Sequence, residues 1–315
     1  MTDLAAAGHY PVMLVEAIEG LAIKADGTYI DATYGRGGHS QAILSQLGPD
    51  GRLLAFDRDV EAVADARQRL AGDPRFEIVH SAFGNVQEVV SQQGLLRRVD
   101  GLLCDLGVSS PQIDNAERGF SFRSDGPLDM RMDQSQGQSA AQWLQVAEES
   151  EISQVLHELG EERYSRRIAR AIVAQREESP LMTTTQLREL IIQASPRQER
   201  HKDPATRSFQ ALRIQVNDEL GEVKRLLEHA LSVLAPAGRL VVISFHSLED
   251  RIVKRFMRKY SRQVDSFPSD IPFAAPAVPN QLKLIGKACS ASQCELAENP
   301  RSRSAMLRIA ERCPC

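Results

Sequence analysis

The sequence predicts an α/β fold, a Rossmann-like and mostly parallel sheet with an all-helical insertion between its fourth and fifth strands. Three observations predict it. Short apolar runs, typical of strands buried on both faces of a parallel sheet, alternate with helical stripes in the first third of the chain. A glycine-rich turn follows the first of these runs. The alternation then stops after Asp114 and resumes near Arg239.

Length and composition are those of a globular protein without membrane spans. A chain of 315 residues has room for one large α/β domain, or a domain with an insertion. Hydrophobic residues make up 42% and charged residues 25%, which is ordinary for soluble domains. No apolar run approaches the roughly 18 residues of a membrane span, and the acidic N-terminal stretch is not typical of a signal peptide. We therefore expect a cytoplasmic protein.

The first strand and the turn after it form the unit around which the sheet is predicted to be built. An extended run, Thr28–Ile30, leads into Asp31, and a helical stripe follows at Ser40–Leu47. Glycine lets backbone approach a nucleotide-like ligand closely because it has no Cβ, and the helix start adds free N–H groups. An ordinary ligand-free βα turn is the alternative. The turn contains three glycines: Gly35, Gly37 and Gly38.

Four residues at or just past the ends of strand candidates are predicted to contact a ligand, since open parallel sheets bind ligands at their carboxyl ends. Asp57 falls twenty residues after Gly37, where a carboxylate can accept both hydroxyls of a ribose. The alternative for Asp57 is a helix N-cap, although Asp59 is better placed to cap the helix Val60–Leu70. For Phe83, the alternative is a core aromatic. The four residues are Asp31, Asp57, Phe83 and Asp105.

The middle of the chain is predicted to be helical. Arg118–Asp133 is interpreted as an ordered loop, and Pro204–Leu234 as a long helical region with a break near Asn217. We therefore divide the chain into a core at residues 1–112, a substrate-recognition insertion at 113–215 and the rest of the core at 216–315. Four helical stripes precede the long region: Ser139–Val146, Glu151–Leu159, Tyr164–Arg176 and Thr185–Ala194.

The chain then returns to strands. Arg239–Phe245 is the fifth strand, and His246 lies just past its end. The segment Ser247–Asp250 has the form of a capping box that opens a basic helix. The proline-rich Phe267–Pro279 is expected to be irregular. Two closing strands are predicted at the end of the chain, at Leu282–Gly286 and Met306–Ala310.

Basic residues cluster locally although the formal net charge is −4, which argues against coating nucleic acid by bulk attraction. Arg251–Arg262 contains six basic residues and no acidic one. Arg166 and Arg167 lie with Arg163 and Arg170 on one side of a predicted helix, which suits contact with phosphates. A solvated helix face is the alternative in each case.

The chain has five cysteines. Cys104 lies in an apolar run and is predicted to be a small buried hydrophobe. The other four do not have the spacing of the usual zinc pairs, so we predict free thiols and no metal. These four are Cys289, Cys294, Cys313 and Cys315.

The glycine turn followed by an acid fits either NAD or S-adenosylmethionine, since both carry an adenosine ribose. Asp31 favours the second, because a fixed carboxylate there would repel a pyrophosphate but suits a ligand that bears an ammonium and a sulfonium. Only one nucleotide-binding half is visible, whereas a dinucleotide domain repeats the unit.

Several motifs closely resemble the bacterial small-subunit rRNA cytosine-N4 methyltransferase family, also known as the RsmH or MraW family. The resemblance covers almost the whole chain. It is carried by Gly35–His39, Asp105–Gln112, Arg118–Asp133, Ser244–Arg255 and Asn299–Arg303.

The resemblance implies a class I methyltransferase core and transfer of a methyl group from S-adenosylmethionine to N4 of a cytidine in the decoding region of 16S rRNA. No role is implied for the C-terminal cysteines. The expected substrate is 16S rRNA. Given the net negative charge of the chain, we expect it to be presented within a preorganised small subunit. A homodimer is one option for the oligomeric state. In such proteins the cofactor is held by residues that match Gly37, Gly38, His39, Asp57, Phe83, Asp105 and Gln112 here.

The chemistry places further demands on the site. The cytosine amine is a poor nucleophile because its lone pair is delocalised, so acceptors that hold its N–H groups would favour attack. Asp105, Ser109 and Ser110 are candidates for this role, although Asp105 could serve only the cofactor. His246 is a candidate for base contact or proton removal, with helix entry as the alternative.

Contacts with RNA are expected along the basic segments, where lysine and arginine would neutralise phosphates. Two other functions stay open at this point. The first is an NAD-dependent oxidoreductase, and the second is a non-catalytic rRNA-binding assembly factor. The residues predicted to bind RNA are Arg166, Arg167, Arg251, Lys254, Arg255, Arg301 and Arg303.

Overall fold

The computed structural model describes residues 10–196, 203–262 and 280–314. The chain divides into two compact units, one formed by residues 1–107 and 221–315 and the other by residues 108–220. These boundaries lie five residues from the proposed division at 112/113 and 215/216. The predicted irregular segment Phe267–Pro279 and Cys315 lie outside the described residues.

One sheet forms the centre of the first unit, in the order β3-β2-β1-β4-β5-β8-β6, with β7 paired to β8. The strands β1 to β5 are parallel, while β8 runs antiparallel to β5, β6 and β7. The strands are Thr28–Asp31 (β1), Arg52–Asp57 (β2), Phe76–His80 (β3), Val99–Asp105 (β4), Leu234–Ser244 (β5), Leu282–Leu284 (β6), Cys289–Ser290 (β7) and Met306–Arg312 (β8).

The sheet confirms the predicted fold class, a Rossmann-like α/β fold with a mostly parallel sheet. From β1 the chain proceeds outward to β3 on one side, and from β4 it proceeds to β5 on the other. The strand order therefore reverses between β1 and β4. Ligands of open α/β sheets bind at the carboxyl ends of the strands beside such a reversal.

The helices of the first unit cover the sheet with their apolar faces. One core layer contains Ile30, Leu54, Leu102 and Val242, and the opposite layer contains Tyr29, Leu53 and Leu103. Successive strand residues thus serve both layers, which explains the continuous apolar runs in the sequence. The helices are Leu14–Leu21 (α1), Gly38–Gln46 (α2), Val60–Arg69 (α3) and Val86–Gln92 (α4), followed later by Glu219–Val233 (α11), Ser247–Ser261 (α12) and Gln293–Glu298 (α13).

The second unit is helical and has its own core, which includes Trp143, Leu156, Ile168 and Phe209. Among its described residues, the only β pairing is an isolated bridge between Pro127 and Thr183. Its helices are Ser110–Asp114 (α5), Ala140–Val146 (α6), Glu149–Gly160 (α7), Ser165–Glu178 (α8), Thr184–Ala194 (α9) and Ala205–Asn217 (α10).

The predicted break near Asn217 is confirmed. Asp218 adopts a left-handed backbone (φ 47°) between α10 and α11, a conformation that ends a helix. The buried Asn217 side chain donates to the carbonyl oxygens of Met130 and Arg213 and accepts from the Met132 N–H.

Three local predictions were wrong or incomplete. The capping box of α12 is formed by His246 and Glu249, one residue before the predicted Ser247, because the imidazole Nδ1 accepts from the Glu249 N–H. The strand β5 begins at Leu234 rather than Arg239. The short elements α5, β7 and α13 were not predicted, because few residues define so short a pattern. In the described part of the chain, no helix is long and apolar enough to cross a membrane.

Candidate active site

The glycine turn joins β1 to α2, and its three glycines have different environments. A Cβ on Gly38 would collide with the ring of Pro11, and one on Gly37 would lie 2.5 Å from the Tyr34 hydroxyl. These two glycines are therefore required by packing against protein. Gly35 has a positive φ of 56°, and the space where its Cβ would point is open apart from the Thr33 carbonyl oxygen at 4.0 Å. Of the three, Gly35 is the one that leaves room for a ligand.

Asp57 ends β2 and is tied to the glycine turn. Its Oδ2 accepts from the Gly35 N–H at 2.8 Å, and its Oδ1 accepts from the Asp59 N–H at 2.8 Å. Burial raises the pKa of Asp57 to about 6. Asp59 is the N-cap of α3, as predicted, so Asp57 does not have the alternative capping role. Each carboxylate oxygen accepts more than one hydrogen bond, so Asp57 can also accept from ribose hydroxyls.

Asp31 ends β1 and is fully buried. Its Oδ1 accepts from the Thr33 N–H at 3.1 Å, and its Oδ2 accepts from the Ser40 hydroxyl at 2.7 Å. Burial raises the pKa of Asp31, while the nearby His39 and these hydrogen bonds lower it. Because the side chain has no exposed surface, Asp31 would act on a cationic ligand through its charge and through the residues that it orients.

His39 lies between the glycine turn and the end of β4. Its Nε2 is 3.1 Å from the Val12 carbonyl oxygen, so Nε2 carries the proton and donates it. Its Nδ1 lies 3.7 Å from Asp105 Oδ2. Burial lowers the pKa of His39, which favours a neutral ring whose Nδ1 lone pair faces Asp105.

Asp105 is the last residue of β4, and its backbone is fixed while its side chain has an unused acceptor. The Asp105 N–H donates to the Thr33 hydroxyl at 2.7 Å. Among the described residues, the buried Oδ1 of Asp105 has no hydrogen-bond partner. A buried polar atom without a partner costs about 1–3 kcal/mol, and such atoms in native proteins call for an explanation such as a missing ligand.

Asp105 is surrounded by negatively charged side chains. Burial raises its pKa well above the usual range, and the negative charges of Asp31, Glu249 and Glu295 raise it further. Glu249 is 1% exposed, and its Oε2 accepts from the Phe245 and His246 N–H groups. Glu295 accepts from the Met13 N–H at 2.7 Å. Carboxylates gathered in this way disfavour a pyrophosphate and favour a cation.

Phe83 and His246 both take part in the fold of the first unit. Phe83 is half-buried in a 3-10 turn after β3 and packs against the main core, as its alternative interpretation held, while part of the ring stays exposed. His246 caps α12, which is its helix-entry interpretation, and its Nε2 lies 3.1 Å from Glu249 Oε1. Both ring nitrogens of His246 thus face groups of Glu249.

Three of the predicted catalytic and cofactor-binding residues belong to the second unit. Ser109 is the N-cap of α5, and its N–H donates to Oε1 of the buried Gln112 at 3.0 Å. Ser110 is the first residue of this helix. The Gln112 side chain therefore stabilises the start of α5, whatever other contact it makes.

The predicted RNA-binding residues are exposed. On α12 the buried side chains are Glu249, Val253 and Met257, and the only other acid of the helix, Asp250, is paired with Arg308 at 2.7 Å. The opposite side, which we name the α12 basic face, is exposed and consists of Arg251, Lys254, Arg255, Arg258, Lys259 and Arg262. Arg301 and Arg303 are exposed in the first unit, and Arg166 and Arg167 are exposed on α8 of the second.

The cysteines show no sign of a disulfide among the described residues. Cys104 is fully buried in the core, as predicted, and burial raises the pKa of its thiol. Cys289 and Cys294 are exposed, and Cys313 is half-buried; all three are free.

Sequence comparison now supplies the family. The profile of the MraW methylase family matches residues 6–313. The chain belongs to the MraW methylase family. It is 56% identical to the ribosomal RNA small subunit methyltransferase H of Thioalkalivibrio sulfidiphilus, over 99% of both chains. It is 54% identical to the protein of the same name from Shewanella denitrificans, over 96% of this chain and 97% of that one.

Solved structures that resemble this chain share little sequence identity with it. An rRNA methylase from Streptococcus thermophilus shares 11% identity, with 96% of this chain and 94% of that chain covered, at a TM-score of 0.41. A SAM-dependent methyltransferase from Aquifex aeolicus shares 9% identity, with 96% and 90% covered, also at a TM-score of 0.41. Membership of the family therefore rests on the sequence matches.

Sequence reasoning missed several residues of the site. Thr33 and Ser40, which hold Asp105 and Asp31, lie within the glycine-turn segment and could have been found there. Glu249 lies in a segment from which the sequence predicts a cap and a family resemblance, but no role for this carboxylate. Glu295 contacts Met13 across 282 residues of sequence, and no local pattern indicates such a contact.

Proposed function

We propose that this protein transfers a methyl group from S-adenosylmethionine to the exocyclic N4 of a specific cytidine in 16S rRNA, in the decoding region of the small ribosomal subunit. The two relatives described above are named small-subunit rRNA methyltransferases. The observation that carries the proposal is Asp105, a carboxyl group with an unused oxygen at the reversal of the sheet, among three further acids. We place the reaction in the cytoplasm, and we propose an assembled or assembling subunit as the substrate.

We name Asp31, Asp57 and Asp105 the strand-end carboxylates. Their negative charge suits S-adenosylmethionine. Its ammonium and sulfonium are cations, and a negative surrounding stabilises both. Asp57 would accept from the ribose hydroxyls, Phe83 would line the adenine, and the open space at Gly35 would admit the adenosine. Binding of the cation would also lower the pKa of Asp105 and so favour the ionised carboxylate.

Asp105 would then act on the nucleophile. Methyl transfer is an in-line displacement at the sulfonium carbon, so correct placement of the amine accounts for much of the rate. An ionised Asp105 would accept a hydrogen bond from the N4 amino group, localise its lone pair and stabilise the positive charge that develops as the bond to carbon forms. Ser109 and Ser110 are further candidate acceptors for this amine.

His39 would leave Asp105 Oδ1 available to the substrate. Its Nε2–H is donated to Val12, and its Nδ1 lies near Oδ2, the other oxygen of the carboxyl group. After transfer, the amine must lose one proton, and His246 at the end of β5 is a candidate to accept it.

The α12 basic face and the exposed arginines of α8 would bind phosphates of the rRNA. The formal net charge of −4 is unfavourable for bulk attraction, which supports a preformed rRNA surface as the partner. A paired or stacked cytidine would have to leave its stack to reach Asp105, at a cost of a few kcal/mol. The free energy of the phosphate contacts would offset this cost.

The test is direct. Small subunits from a strain that lacks this gene are incubated with the purified protein and labelled S-adenosylmethionine, and the rRNA nucleosides are resolved by mass spectrometry. Label in one N4-methylcytidine supports the proposal. Binding of NAD rather than S-adenosylhomocysteine in calorimetry would support the oxidoreductase. Binding of rRNA without any methyl transfer would support a non-catalytic assembly factor, although RNA binding alone does not require three acids at strand ends.

A further inference from the structure

The 3-10 turn after β3, Phe83–Asn85, is held by two side chains of α11. The Gly84 N–H donates to Glu222 Oε2 at 2.7 Å, and the Gly84 carbonyl oxygen is 2.9 Å from His229 Nδ1. Since a carbonyl oxygen only accepts, Nδ1 carries the proton and donates it. Both backbone polar groups of Gly84 are therefore bound by side chains 138 and 145 residues away in sequence.

This clamp, the name we give to Glu222 and His229 around Gly84, is closely fitted. Glu222 is 9% exposed, and its second oxygen, Oε1, accepts from Arg225 at 2.6 Å. A Cβ on Gly84 would come within 2.5 Å of Glu222 Oε2, so glycine permits the short hydrogen bond. A buried carboxylate is costly unless its oxygens are bonded, and here each oxygen has a donor.

The turn depends on this support because it is short. A 3-10 turn of three residues has few hydrogen bonds of its own, and the Asn85 N–H to Ala82 carbonyl bond at 3.1 Å closes it. The side chain of Phe83 projects from the residue next to Gly84. Whatever fixes the Gly84 peptide groups thus restricts the position of the Phe83 ring.

We infer that Glu222 and His229 are positioning residues for the adenosyl part of the cofactor. They act through Gly84 and hold the Phe83 turn in the conformation that accepts the adenine before the cofactor arrives. A preorganised wall avoids the entropy of ordering the turn on binding. The inference rests on the proposed function, since it takes Phe83 as the adenine wall of an S-adenosylmethionine site.

The experiment compares variants that remove the clamp with variants that keep its hydrogen bonds. Glu222→Ala and His229→Ala remove one bond each, whereas Glu222→Gln keeps an acceptor and His229→Asn keeps a donor close to Nδ1. Glu228→Ala is the matched control, because Glu228 is an exposed acid on the same helix. Calorimetry measures the Kd of S-adenosylhomocysteine, and steady-state assays measure kcat and the KM for S-adenosylmethionine.

The alanine variants should weaken the Kd for S-adenosylhomocysteine about tenfold, the equivalent of one net hydrogen bond. The KM for S-adenosylmethionine should rise in parallel, while kcat at saturating cofactor stays within twofold of wild type. Glu222→Gln, His229→Asn and the control should stay within threefold in Kd. Hydrogen exchange of the 81–86 backbone without cofactor should accelerate in the alanine variants alone.

Two results would overturn the inference. The first is an unchanged Kd in alanine variants that fold and show a lower Tm, which would make the clamp a stabilising feature only. The second is an equal loss of kcat in all variants, with no separation from KM. Gly84→Ala replaces Glu222→Ala if that variant does not fold, since its Cβ displaces the Glu222 carboxylate. Wild-type protein that binds no S-adenosylhomocysteine would instead refute the proposed function.

Discussion

The strand-end carboxylates and the α12 basic face lie in the same unit and have opposite charge and opposite exposure. The carboxylates are buried or half-buried, and burial is the first cause of their raised pKa values. The basic face is exposed along its length. Buried charges interact strongly and are hardly screened by salt, whereas exposed charges are weakened by it.

This difference separates two tasks. The carboxylates suit tight, local recognition of a small cation at the end of the sheet. The basic face suits long-range and salt-dependent contact with a polyanion, to which each cation contributes little by itself. A net negative charge is therefore compatible with RNA binding, because the acids near the site would be directed at the cofactor.

The largest expected effect is at Asp105. Asp105→Asn keeps the shape of the side chain but removes the charge that would stabilise the developing positive charge on the amine. We expect kcat to fall about 100- to 1,000-fold, with the Kd for S-adenosylhomocysteine within about fivefold of wild type. Single-turnover methylation of small subunits measures the rate, and Asp50→Asn, at an exposed turn residue, is the control. Undiminished turnover would remove Asp105 from the mechanism.

A smaller effect is expected at Asp57, and it depends on pH. Burial raises its pKa to about 6, and the ionised form is the better acceptor for ribose hydroxyls. Affinity for S-adenosylhomocysteine should be constant above this pH and fall as pH decreases through about 6. Asp57→Asn should weaken binding about tenfold at pH 8 and flatten the profile between pH 5 and about 7. A variant that keeps the wild-type pH dependence would assign it to another group.

The basic face should be measured by salt dependence rather than affinity alone. Replacement of Arg251, Lys254 and Arg255 by alanine should reduce the slope of log K against log salt by about 2, since each phosphate contact in single-stranded RNA contributes about 0.7. The control removes the same charge from three other exposed residues of the unit, Arg98, Lys224 and Lys283. Equal slopes for the two triple variants would show that only net charge matters.

The smallest effect is expected beneath the glycine turn. The Tyr34 hydroxyl is buried and has no hydrogen-bond partner among the described residues, and burial raises its pKa to about 12. Tyr34→Phe should leave cofactor affinity unchanged and stabilise the protein by up to about 1 kcal/mol. Tyr29→Phe is the matched comparison, because the Tyr29 hydroxyl accepts from the Lys24 N–H at 2.7 Å. Loss of this hydrogen bond in Tyr29→Phe should destabilise the protein by about 1 kcal/mol, measured by denaturant unfolding. If Tyr34→Phe were destabilising and Tyr29→Phe were not, the Tyr34 hydroxyl would have a hydrogen-bond partner after all.

The fold was predictable because its signals are local. The apolar runs of β1, β2 and β4 each close on an aspartate, and in the structure these aspartates are the last residues of their strands. The positive φ of Gly35 and the left-handed Asp218 also lie where glycine and a break were expected. The alternation of strands and helices, the turns and the caps depend on residues that are neighbours in sequence. They can therefore be predicted from one sequence.

The rest of the site depends on contacts between distant segments. Nothing near Gly38 indicates that Pro11 packs on it, and nothing near Gly84 indicates the clamp from α11. From its position in the turn, Gly38 was expected to let a ligand approach the backbone. In the structure it is glycine because Pro11 packs against it. The roles of the predicted site residues in binding and catalysis stay predictions, since their placement does not by itself measure a function.

The measurement that tests the account most directly is the cytidine modification of 16S rRNA. Small subunits from a strain without this gene are methylated by wild-type protein and by Asp105→Asn under the same conditions, and the nucleosides are quantified by mass spectrometry. We predict one N4-methylcytidine per rRNA with wild type and a rate at least about 100-fold lower with the variant. A methyl group on another atom, or equal rates for the two proteins, would contradict the account.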